Sequence, residues 1–515
     1  GLRSLSLAGS AVDDGGLATL APMASLDELD LTDTRIGDAG LGQLGGLRGL
    51  RRLDLWHTDV GDAGLRYLAG LTALEELELG RTGVGDAGVA HLRPLRSLTH
   101  LGLGATRVGD EGLRAVAALV ALNTLELWST DVTDGGLPAL ATLQRLHALD
   151  LWYTRVTDEG MVHLTGLGGL SALRLGGTRV GDDGLAALSP LTELVDLALW
   201  DTRITDAGID HLAAFPELRF LSLNDTAVGD EGMAKLAASG ELELLEIGGT
   251  EVGDVGFAHL ARMGSLTELL AWYTPVTDEG VGHLAASTSL VFVAIDGTRT
   301  GDGAARALAA IPTLRELELG GTGITDAGLA ALAEQGQLRE LGLAGVPVTD
   351  AGMVHVAAHT ELQELVLGGT AVGDPGVEAL AGLRQLRLLD LGASRVTDRG
   401  VAQLAGLPVL EVLGLGATPV GDGAATEAAS MPALRDLQLW YTAVSDRGLA
   451  SLESARGLRQ LELAGTDVTD QGLIHLHGLT RLRELELGDT GVSEAGIREI
   501  EGVLPALDVV DLAFF

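Results

Sequence analysis

The sequence contains no cysteine. That excludes disulfides, cysteine-held zinc or iron–sulfur sites and a thiol nucleophile. Aromatic residues make up only 3%, so any core is aliphatic. A single lysine, Lys235, stands among 34 basic residues, against 72 acids and a net charge of −38. A non-specific nucleic-acid binder needs the opposite sign. No apolar run is long enough to span a bilayer. Gly1 opens no signal-peptide pattern. The compartment is not written in the chain, and the cytoplasm is favoured. There is also no initiating Met, so a fragment or ectodomain lacking an N-terminal cap is expected.

What is present is repetition. Leu5, Leu29, Leu53 and Leu77 are 24 residues apart, and the series continues to Leu485 through 21 positions without insertion or deletion. Only Val293 is not leucine in that series. A partial copy, Leu507 to Leu512, follows. Length alone suggests several domains. The unbroken period predicts instead one repeat domain over residues 1–515.

The third repeat shows the pattern. Leu53 and Leu55 alternate around Asp54 and read as a short strand. Leu65 and Leu68 are three apart and read as one helix face, with Leu71 closing the turn. One repeat cannot bury its leucines; stacked repeats can.

Each column has its own task. Thr58 heads a column that is Thr in 18 of 21 repeats, with Ser10, Ser394 and Val346 as exceptions. Its hydroxyl can bond backbone groups at the strand end. A looser turn is expected at Val346. The Asp62 column is Asp in 20 repeats and Glu494 in the last, as expected of an acid at a helix N-terminus. The Gly64 column fails only at Ala304 and Ala424. Setting the 21 column acids aside leaves an acidic excess of 17, so over half of the charge is architectural.

The run from Leu74 to Leu92 resembles a leucine-rich repeat in which Thr holds the position usual for Asn or Cys. Its second half is similar to the ribonuclease-inhibitor-like and cysteine-containing subclasses. The strict 24-residue Thr form looks most like bacterial members. The resemblance covers essentially the whole chain. It implies an α/β fold: a horseshoe-shaped leucine-rich repeat solenoid of about 21–22 repeats, with a concave parallel sheet and short convex helices. It further implies macromolecular recognition on the concave sheet, usually of proteins, and no enzyme activity.

Residues alternating with Leu53 and Leu55 face out: Arg51, Arg52, Asp54, Trp56, His57 and Asp59. All six tryptophans share one such column: Trp56, Trp128, Trp152, Trp200, Trp272 and Trp440. Tyr153, Tyr273 and Tyr441 follow three of them. Exposed aromatics in register are raw material for binding hot spots. Repeats six to nine form the preferred patch, combining Trp128, Trp152, Tyr153 and Trp200 with Asp150, Asp196, Asp201, Arg155 and Arg179. The expected partner is a protein or peptide, basic in character, with no nucleic acid and no membrane insertion. The alternatives are a sensor or substrate-selecting module of a larger protein, or a carbohydrate-binding solenoid.

Other chemistry finds no footing. Seven histidines share a helix column, among them His91, His163 and His475, with no second ligand at fixed spacing. Structural use is expected. The Gly-rich turns lack a phosphate-loop signature. Lone turn carboxylates cannot supply the 6–8 oxygens of Ca²⁺. No catalytic residue, cofactor or metal is expected. The pattern softens at Ala271, Val293, Ile295 and Thr300. Ser239, Ser287, Gln335 and His359 replace the closing leucine, so lower local stability is expected from about repeat ten to sixteen, and at repeat eighteen.

Overall fold

Each repeat contributes a three-residue strand centred on its middle leucine, because only that residue and the leucine two further on turn inward. Leu53 is 2% exposed and Leu55 fully buried, while Arg52 and Asp54 stay at the surface. The computed structural model describes residues 1–237, 241–504 and 507–510. Ser239, Phe514 and Phe515 therefore lie outside the described residues.

The chain divides into two bodies, Gly1–Glu251 and Val252–Phe515. In the N-terminal body, strands run from Ser4–Ser6 to Leu244–Glu246. Each pairs in parallel with the next, and the middle leucines stay in register, as in Leu5↔Leu29 and Leu53↔Leu77. In the C-terminal body, strands run from Glu268–Leu270 to Asp508–Val510 with the same register, as in Leu269↔Val293 and Leu461↔Leu485. The constant offset turns every sequence column into a ladder in space. Short helices such as Asp62–Leu65 and Asp110–Val116 cover the other side of the leucines. This is the parallel strand-and-helix solenoid expected. Among the described residues, no helix is long and apolar enough to cross a membrane.

The threonine column bonds as its chemistry suggests. Thr58 Oγ1 donates to Leu55 O at 2.7 Å, and Thr106 Oγ1 to Leu103 O at 2.6 Å. At Val346 the expectation of a looser turn fails. Its amide still reaches Leu343 O at 3.2 Å, the same distance as Thr370 N to Leu367 O, and its side chain is buried. The backbone bond and an apolar contact suffice.

The aspartate column acts across repeats rather than within one. Asp86 begins its own helix, but its Oδ1 accepts from Gly109 N (2.7 Å) and Gly112 N (2.9 Å) of the next repeat. A carboxylate thus satisfies free amides at the start of the neighbouring helix. This explains the glycine column: a Cβ on Gly112 would lie 2.6 Å from Asp86 Oδ1. Where Ala304 replaces that glycine, the helix still starts at the column aspartate, Asp302. The glycine moves to Gly303, where a Cβ would overlap the Asp278 carboxylate, and Ala304 N still donates to Asp278 Oδ1 at 3.1 Å.

The softer positions are filled. Ala271, Val293 and Ile295 are fully buried. Thr300, 2% exposed, shares a 2.9 Å hydrogen bond with Thr298. Ser287 Oγ accepts from Leu290 N at 3.2 Å, and Gln335 Nε2 donates to Leu314 O at 2.7 Å. His359 is 1% exposed, and burial pushes its imidazole down to about 4.

Candidate functional site

The residue after the tryptophan column takes a left-handed backbone: φ is +53° at both Tyr153 and Tyr273, and +52° at Tyr441. Glycine takes this conformation freely, whereas a tyrosine there is costly. The tyrosines are held where they project, and they are 52%, 70% and 60% exposed, respectively.

The six tryptophans are half-buried and none lies among the core leucines. Several lean onto a neighbouring repeat. Trp128 covers Gly104, Trp200 covers Gly176 and Trp440 covers Gly416; in each case a Cβ on the glycine would overlap the ring. Tyr153 likewise covers Gly177.

In the N-terminal body this brings four predicted residues together. Ring centroids are 5.4 Å apart for Trp128–Trp152, 5.5 Å for Trp152–Tyr153, 5.7 Å for Trp152–Trp200 and 5.0 Å for Tyr153–Trp200. The last two are edge-to-face, at 68° and 80°. Such pairs contribute about 0.5–1.5 kcal/mol beyond area burial. Trp200 belongs to the ninth repeat and Trp152 to the seventh; they meet because Gly176 and Gly177 leave the eighth bare.

The acids beside the cluster are distinct in role. Asp150 is 9% exposed, and its Oδ1 accepts from Trp152 N at 3.1 Å. Burial pushes its carboxyl up to about 6, against the opposing pull of that amide and of Arg174. Arg174 lies 3.9 Å from Asp150 and 3.5 Å from Asp196, bridging the two. Arg155 pairs instead with Asp131 at 2.8 Å. Asp201 sits exposed at the left-handed position, with φ +49°. The remaining aromatics form separate groups. Trp56 packs at 5.4 Å from His57 and beneath the Arg81 guanidinium at 5.2 Å. In the C-terminal body, Trp272 pairs with Tyr273 at 6.0 Å and Trp440 with Tyr441 at 6.3 Å. Tyr441 also donates its hydroxyl to Asp489 at 3.2 Å.

Carboxylates form stripes across the strands. Asp30, Asp54, Glu78, Glu126 and Asp150 share one column, interrupted only by Gly102 and closed by Arg174. Burial raises Glu78 within it. In the C-terminal body, Glu316, Glu340 and Glu364 are register neighbours. Burial, with Asp296, Glu340 and Glu364 nearby, pushes Glu318 up to about 7. Burial, with Glu486 and Asp436, does the same to Glu462.

The sequence reading missed Arg174, the glycine seats and the grouping of Glu78, Glu126 and His100. The seats had a signal: Gly177, Gly297 and Gly465 each follow a tyrosine by one period.

A family model described as Leucine Rich repeat matches residues 23–45, 48–69, 95–117, 217–237, 310–333 and 358–381. The chain is built of leucine-rich repeats. No curated protein matches it. Among solved structures this leucine-rich repeat chain is similar to TLR13 in the TLR13–ssRNA13 complex, with TM-score 0.56 and 20% identity, over 98% of this chain and 80% of that one. It is also similar to the internalin InlF of Listeria monocytogenes str. 4b F2365 (0.40, 21%, 78% and 93%). A third is the Arabidopsis receptor kinase HAESA ectodomain in complex with an extended IDA peptide hormone (0.46, 17%, 92% and 79%). At these identities the likeness is one of fold.

Proposed function

We propose that this leucine-rich repeat protein is a non-enzymatic recognition scaffold that binds a basic protein or peptide segment on its sheet face. Trp128, Trp152, Tyr153 and Trp200 form the anchor, with Asp150, Asp196 and Asp201 reading positive charge beside it. The observation that carries this reading is the continuous four-ring contact next to a stripe of poorly neutralised carboxylates. Rigid aromatic surface gives contact area at low entropic cost. Crowded carboxylates gain when a cation approaches, and they repel polyanions such as nucleic acid. Trp56, Trp272 with Tyr273, and Trp440 with Tyr441 are secondary contacts. Arg155, paired with Asp131, lies at the rim and contributes little. A bacterial origin and ribonuclease-inhibitor-like repeats belong to the same reading.

The experiment is partner capture with the wild type and a Trp152→Ala/Trp200→Ala double variant. The variant is expected to lose captured protein while keeping its far-ultraviolet circular dichroism. Equal capture by both removes the aromatic anchor from the proposal. Retention of glycans rather than protein on arrays redirects it to carbohydrate.

A further inference from the structure

Glu78, His100 and Glu126 come from three consecutive strands of the N-terminal body: Glu76–Glu78, His100–Gly102 and Thr124–Glu126. Gly102 is the register partner of Glu78 on one side and of Glu126 on the other. A Cβ on Gly102 would overlap the Glu78 carboxylate. The bare glycine therefore opens the space into which the two flanking carboxylates converge, and the imidazole two residues earlier closes a third side. His100 Nε2 touches Glu78 Oε1 and lies 3.7 Å from Glu126 Oε1. One donor atom of each residue lies within 4.8 Å of the other two, and all three residues are half-buried. The nearby Arg52 is engaged by Glu28 (2.9 Å) and Glu76 (3.1 Å).

Three donors so arranged suit a small cation. Tetrahedral zinc, with bonds of about 2.0–2.2 Å, wants its donors about 3.3–3.6 Å apart. Modest side-chain adjustment achieves that here. An imidazole with two carboxylates favours a first-row transition ion over Ca²⁺ or Mg²⁺, which prefer all-oxygen sets.

We propose that Glu78, His100 and Glu126 form a divalent transition-metal site that clips three adjacent strands together. With three protein ligands, the ion keeps an open position for water or for a donor from a bound partner. On binding, the imidazole presents its Nε2 lone pair to the ion, and any proton held there leaves to solvent. The site adjoins the aromatic anchor, since Glu126 is in register with Asp150, but takes no ligand from it.

The test is calorimetric titration of the full chain with ZnCl₂, in excess Mg²⁺ to occupy unspecific carboxylates. One saturable site per chain is expected. His100→Ala and Glu126→Gln are each expected to weaken it about tenfold or more. His163→Ala and Glu462→Gln, which alter a helix histidine and an acid of the C-terminal body, should leave it unchanged. Circular dichroism checks that each variant is folded; His100→Gln replaces His100→Ala if the latter is not. Absence of a saturable site, or wild-type affinity in both ligand variants, overturns the proposal.

Discussion

Trp200 fills the space that a side chain on Gly176 would need, so the ring and the missing Cβ are two halves of one feature. The glycine is what allows Trp200 to reach Trp152 across an intervening repeat. Gly176→Ala should therefore displace Trp200 without removing any aromatic residue. Loss of the Trp152–Trp200 pair, about 0.5–1.5 kcal/mol, should appear as a changed near-ultraviolet circular dichroism spectrum and weaker partner capture. An unchanged spectrum would show that the ring is not seated there.

Removing a column aspartate should be felt one repeat away. Asp86→Ala leaves the amides of Gly109 and Gly112 without their acceptor. The expected cost is about 1–2 kcal/mol. Hydrogen exchange should accelerate at those two glycines more than in the Asp86 helix itself. Acceleration confined to residues 86–92 would contradict capping across repeats.

The buried His359 should make the C-terminal body sensitive to acid. Its folded value, about 4, lies below the ordinary 6.5. Unfolded chains take up the proton as pH falls through 6.5, while folded chains resist until about 4. Stability from this group is complete above pH 6.5 and declines towards pH 4, by up to about 3 kcal/mol. Urea unfolding of wild type and His359→Leu at several pH values isolates the effect. The difference between the two should change across that window, and a constant difference would refute it.

Glu318 should act in the opposite sense. Its folded value is raised to about 7, so its favourable contribution is present below about pH 4.5 and lost as pH rises through 7. Because the carboxylate is partly exposed, solvent screening limits the effect to about 1 kcal/mol. Glu318→Gln should stabilise the protein at pH 8 and be neutral at pH 4. Equal stability at pH 8 would mean that the crowding is relieved by solvent.

The repeat, its strand and its helix were legible because leucine spacing fixes which residues turn inward. Trp128, Trp152, Tyr153 and Trp200 were legible as a patch, since a fixed period forces register. Their contact geometry was not, because it depends on what Gly176 and Gly177 lack. Asp86 was readable as a helix-start acid, but not as serving the next repeat, since a period looks the same whether a bond stays within a repeat or crosses to the following one. Glu78 and Glu126 share a column interrupted by Gly102, whereas His100 lies in another; the three escaped notice because they converge only through side-chain reach.

The direction of the Asp86-to-Gly109 bond gives the stack a polarity. Within each body, an interior repeat lends a cap forward and borrows one from behind. Deleting a repeat from the leading side thus orphans the next helix start, whereas deleting one from the trailing side only idles a carboxylate. Unravelling along such a stack is biased by sense of travel, much as a zip opens from one end.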